Sequence, residues 1–174
     1  MRGQGLQVEM PSVVAIETGS RPGQLGPVVA IGEEAKEMLG RTPEHLHAIR
    51  PIREGRVANY PLTEALAREA LTMARGGQGL KRPRVLLCVP QGIDEAERRA
   101  LQDSVREAGA KEVQLLPKSV AAAVGAELPI HEATASMVID MGGGSTELCT
   151  MSLGGIVELG TVRIGGHTLD SAIA

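Results

Sequence analysis

The chain contains no phenylalanine and no tryptophan, and Tyr60 is its one aromatic residue. Its core must therefore be built from Val, Ile, Leu, Met and Ala. These bury less area per side chain than aromatic rings do and point to modest stability. Cysteine is scarce as well: Cys88 and Cys149 are the two in 174 residues, both inside apolar, strand-like runs. That placement reads as buried thiols in a reducing compartment and argues against a disulfide framework. No segment reaches the ~18 consecutive apolar residues of a membrane span. The opening MRGQGLQVEMP lacks the apolar run of a signal peptide, so the expected location is cytoplasmic. Nor is there an excess of positive charge, and a net charge of −3 argues against nucleic acid as a partner. The histidines His45, His47, His131 and His167 show no ligand spacing with cysteine or acidic residues. No Ser-His-Asp or Cys-His arrangement can be argued.

What is present is a patterned globular chain, 43% apolar and 22% charged. Residues 12–17 and 27–31 read as short strands, and 33–39 as a short helix closed by Gly40. Residues 41–60, with Pro43 and Pro51, read as irregular. Leu62, Leu66, Ala70 and Met73 recur on one face of a helix over 62–74. The run VLLCV at 85–89 is nearly continuous in apolar residues, as expected of a strand covered on both faces. Asp94 then caps a helix to Ala108, with Glu97 as its capping-box partner and Gly109 as the stop. A strand over 112–116 and an alanine-rich helix over 119–126 follow. From Ser136 the pattern changes to strands at 136–141, 145–152 and 156–164 joined by glycine turns, and Gly165-Gly166 opens a last helix. The order predicts an α/β fold with a mainly parallel sheet, followed by a β-meander.

The most informative stretch is MVIDMGGGST at 137–146. An apolar strand ends in Asp140, whose carboxylate is placed to reach a hydrated metal. Gly142, Gly143 and Gly144 lack a Cβ, so the turn can take positive φ and bring its amides close to a phosphate. Ser145 and Thr146 add hydroxyls. A hairpin whose turn simply needs glycine explains the same residues.

The surrounding blocks resemble a known family. PSVVAIE at 11–17, RPRVLLCVPQGI at 82–93, EAGAKEVQLL at 107–116, AAAVGAELPI at 121–130, SMVIDMGGGSTE at 136–147 and SLGGIVELGTVRIGG at 152–166 are similar, in order, to the MreB family of bacterial actins. The resemblance implies an actin-like fold of two ribonuclease-H-like lobes around a nucleotide. Residues 1–135 would form the first lobe, without its first strand and phosphate loop, and 136–174 the start of the second. It also implies ATP with Mg²⁺ as cofactors, with Asp140, Gly142, Gly143, Gly144, Ser145 and Thr146 on the phosphates and Asp140 toward the metal. As partners it implies filaments with actin-like homologues, the inner face of the cytoplasmic membrane and the cell-wall synthesis proteins that these filaments guide. Leu80, Lys81 and Arg82 align with the segment that touches lipid.

The chain departs from the family in three ways. The first phosphate loop, which precedes the segment aligned at Gly3 to Pro11, is not in this sequence. The second lobe's adenosine-contacting segments, beyond Ala174, are not in it either. Lys118 aligns with the glutamate that positions the attacking water, and an ammonium cannot accept a proton in that role. Lys118 reads as a surface lysine or as a partner for phosphate. ATP binding weaker than millimolar and no efficient hydrolysis are expected. The competing reading is a non-catalytic interaction module that co-assembles with a full-length homologue, or a gene fragment.

Overall fold

The computed structural model describes residues 5–19, 21, 24–53, 56–75 and 82–174. In chain order the elements are β1 (Val14–Thr18), β2 (Leu25–Ile31), α1 (Glu33–Glu37), β3 (Leu46–Ile49), β4 (Ile52–Arg53), β5 (Arg56–Val57) and α2 (Tyr60–Arg75). There follow β6 (Arg84–Val89), α3 (Glu95–Glu107), β7 (Glu112–Pro117), α4 (Lys118–Gly125), β8 (Ser136–Met141), β9 (Thr146–Ser152), β10 (Gly155–Val162) and α5 (Gly166–Ile173). Two compact units share the chain discontinuously. One comprises residues 1–52, 57–84 and 99–112, and the other 53–56, 85–98 and 113–174.

The first unit is organised on β1. β1 lies between β2 and β3 and pairs antiparallel with both. The period-2 alternation of a strand sends Ala15 to one face and Val14 and Ile16 to the other. Ala15 packs with Val13, Ala30 and Ala35, the last from α1. Val14 and Ile16 pack with Leu62 from α2, flanked by Ile31, Ile49 and Leu66. The side chain of Asn59 accepts a hydrogen bond from the Leu62 amide at 3.1 Å, which caps α2 and sets its first turn against the sheet. Pro27, inside β2, cannot donate to the ladder, and β2 carries irregular register against β1 on both sides of Ile16.

The second unit holds the pair β6–β7 and the meander β8-β9-β10. Asp94 and Glu97 form the expected capping box at α3: the Asp94 amide donates to Glu97 Oε2 at 3.2 Å, and the Glu97 amide to Asp94 Oδ1 at 2.8 Å. α4 lies on one face of the meander. There Ala123, Ile130, Cys149 and Met151 form the core, with Val120, Leu128 and Val138 packed against it.

The α/β class stands, with three corrections of detail. The sheet β2-β1-β3 is antiparallel, whereas the alternation of strands and helices predicts mainly parallel pairing; the antiparallel sheet β8-β9-β10 is the meander expected from Ser136 onward. The strands of these sheets are joined by hairpins or return at an edge, and β6-α3-β7 has the helical crossover that parallel neighbours require. Residues 41–60 are not irregular but carry β3, β4 and β5. Finally, β6 is not covered on both faces. Leu86 is 60% exposed and Cys88 is exposed, so of the two thiols only Cys149 is buried; both are free.

Candidate functional site

Strand periodicity builds the site. Val138 and Cys149 point to the α4 side of the meander, and so do the residues two positions away on each strand, Asp140 and Glu147. These two acids face each other directly across the β8–β9 ladder. Like charges opposed in this way repel, and the chain supplies a cation. Lys118, the first residue of α4, places its Nζ 3.3 Å from Asp140 Oδ2 and 3.9 Å from Glu147 Oε1. Its side chain is 21% exposed and paired with both acids, so it is not the free surface lysine that the sequence suggests.

Glu147 is completely buried, a position that carboxylates seldom occupy without partners. Its Oε1 accepts the Gln91 amide at 3.2 Å, while Oε2 has no hydrogen-bond partner. Burial pushes the Glu147 carboxyl above its ordinary value. Lys118 and the Gln91 amide pull the other way, and Asp140 adds a smaller upward push. The net direction is upward, because burial is the largest of these influences.

Beyond Asp140 the glycine turn closes through the Gly142 amide, which donates to the Ser145 carbonyl at 2.9 Å. Gly142 and Gly143 do not adopt the positive φ that their run suggests; the neighbourhood is close, and it is Gly165, packed on the turn's backbone, that has no room for a side chain. A Cβ on Gly143 would lie 2.8 Å from His167 Nε2, and one on Gly165 would lie 2.5 Å from the Gly142 carbonyl oxygen. The start of α5 is bonded onto the turn: the Gly166 and His167 amides donate to the Gly142 and Gly143 carbonyls at 3.0 and 2.8 Å. The Thr146 hydroxyl donates to the Ile164 carbonyl at 2.8 Å, and Ser145 is buried. With the carbonyls thus engaged, the Gly143, Gly144 and Ser145 amides make no hydrogen bond among the described residues. Successive unpaired amides in a turn form a concavity suited to an anion.

Asp140, Gly142, Gly143, Gly144, Ser145 and Thr146 are therefore brought together, and Lys118, Glu147 and His167 join them. His167 escapes a reading based on spacing, because only the return of the chain through β9 and β10 carries it to the turn. Arg82 is exposed, while Leu80 and Lys81 lie outside the described residues. The donor set does not fit a divalent cation. Asp140 already faces an ammonium, and no cluster of three or more His, Cys, Asp or Glu is placed to hold a metal among the described residues. Among those residues no helix is long and apolar enough to cross a membrane.

The fold is that of the actin-like proteins. It superposes on the crystal structure of MreB5 of Spiroplasma citri bound to ADP with a TM-score of 0.86 at 29% identity, over 98% of this chain and 50% of that one. The MamK double helical filament gives a TM-score of 0.72 at 19% identity, over 93% of this chain and 49% of that one, a likeness of fold alone. The family model described as MreB/Mbl protein matches residues 1–174, and the chain belongs to that family. It is 46% identical over 174 residues to the cell shape-determining protein MreB of Escherichia coli (strain K12), covering 99% of this chain and 50% of that protein. The chain thus spans about half the length of the curated relatives it matches.

Proposed function

We propose that this chain serves in a bacterial actin-like filament that determines cell shape, and that Gly142 to Thr146 is its phosphate-binding turn. The observation that carries the site is the run of unpaired amides at Gly143, Gly144 and Ser145, held in shape by the start of α5. Residues 136–174 would then open the second lobe of the cleft. The filament would run along the inner face of the cytoplasmic membrane and guide peptidoglycan synthesis, with Leu80, Lys81 and Arg82 contributing to lipid contact. ATP would be held weakly through its phosphates, because Asp140 is engaged by Lys118 and no carboxylate stands at position 118 to polarise water.

A second reading, a non-catalytic module that co-assembles with a full-length homologue, is favoured by that same ion pair, which removes the groups hydrolysis would need. Light scattering of the chain alone, with and without millimolar ATP, separates the two. A rise with ATP supports self-assembly. No rise alone, but altered assembly of an added full-length MreB, supports the module. If neither the chain nor the added homologue responds, both readings fail.

A further inference from the structure

We infer that Lys118 is a built-in counter-ion that takes the place of a divalent metal beside Asp140, so that anion capture at the Gly143–Ser145 amides is independent of metal. The part concerning anions rests on the proposed function of the turn; the part concerning metal does not. An ammonium 3.3 Å from one carboxylate and 3.9 Å from a second, fully buried one sits where a cation shared by both acids would sit. A divalent ion approaching Asp140 would have to displace that ammonium into a site only partly open to water, where charge repulsion is weakly screened.

The position of Lys118 on its helix strengthens the argument. It is the first residue of α4, whose first turn contains no acidic residue. A cation at a helix N-terminus meets the positive end of the helix dipole and is disfavoured there. Capping does not account for a lysine here, since Pro117 at the cap offers no side-chain hydrogen bond. The pairing with Asp140 and Glu147 does account for it. The acids in turn depend on the lysine, because opposed carboxylates of which one is fully buried need a positive partner.

The test uses the metal alone and inorganic tripolyphosphate as probes. Mn²⁺ is titrated into isotope-labelled wild type, Lys118→Met and Lys118→Arg, and paramagnetic broadening is read at the Asp140 and Glu147 amides. Wild type and the arginine variant should show no saturable broadening, and the methionine variant should bind Mn²⁺ at least about tenfold more tightly. Broadening of wild type at the concentrations that affect Lys118→Met overturns the inference, and so does a methionine variant that gains nothing. The wild-type titration decides the matter even if Lys118→Met fails to fold, since saturable Mn²⁺ binding there sinks the idea by itself and its absence supports it. Tripolyphosphate should shift the Gly143, Gly144 and Ser145 amides of wild type equally in EDTA and in Mg²⁺. A Mg²⁺-dependent affinity overturns metal independence. Tripolyphosphate shifts at none of these amides overturn the phosphate reading of the turn, while the Mn²⁺ result still decides the role of Lys118.

Discussion

β1 and β9 are both central strands of three-stranded antiparallel sheets, yet their surroundings are opposite. β1 is closed on both faces: Ala15 lies toward α1, and Val14 and Ile16 toward α2, all essentially without solvent contact. β9 is closed on one face by α4, while Leu148 on its other face joins the outward side chains of β8. There Ile139 is 57% exposed and Met141 78%. A strand's apolar content therefore does not report how many of its faces are covered. VLLCV in β6 teaches the same lesson, since Leu86 and Cys88 point outward from a run as apolar as any in the chain.

The contrast can be broken first where burial is deepest. Leu62→Ala removes the α2 side chain against Val14 and Ile16 and should cost about 3 kcal/mol, as other buried leucines do. Urea denaturation measures it, and a loss below about 1 kcal/mol would mean that β1 is not sealed on its α2 face. Next in size is a change of pH dependence in the half-covered sheet. The folded Glu147 carboxyl is raised, so the native state keeps a proton that the unfolded chain loses near 4.5. Stability from this group is therefore full below that value and declines as pH rises through the raised folded value. Glu147→Gln keeps an acceptor for the Gln91 amide and should remove that decline, so that only wild type loses stability through this group as pH rises. Denaturation midpoints from acid to neutral pH would show parallel curves for the two proteins if the reading is wrong. The smallest effect belongs to the open face. Ile139→Ser should alter stability by no more than about 0.5 kcal/mol. A core-sized loss there would erase the distinction between the two sheets.

Much of this was legible where a local rule has a chemical signature. Asp94 and Glu97 announce a capping box by their spacing, and both reciprocal hydrogen bonds are present. MVIDMGGGST announces a strand, a turn and a returning strand, and β8 and β9 flank the glycines as expected. What escaped depends on partners distant in sequence. Leu46 to Ile49 has little strand pattern of its own and becomes β3 because β1 offers it an open edge. Lys118 could be aligned but not interpreted, since its meaning lies in two acids on different strands. The glycine run suggests backbone freedom, yet Gly142 and Gly143 take no positive φ, and the position with no room for a side chain is Gly165, which reaches the turn only through the fold.

The hydrogen bonds that splice α5 onto the turn carry a thermodynamic consequence. A flexible glycine loop would lose conformational freedom whenever a ligand arrived, and that loss would be subtracted from its affinity. Here the Gly142 and Gly143 carbonyls are already tied to the first amides of α5, and Gly165 is wedged too close to the turn for any side chain. Most of the ordering takes place during folding. If the turn binds an anion as proposed, little of its backbone would be left to order on binding, so even a weak site of this kind would bind with little entropic cost.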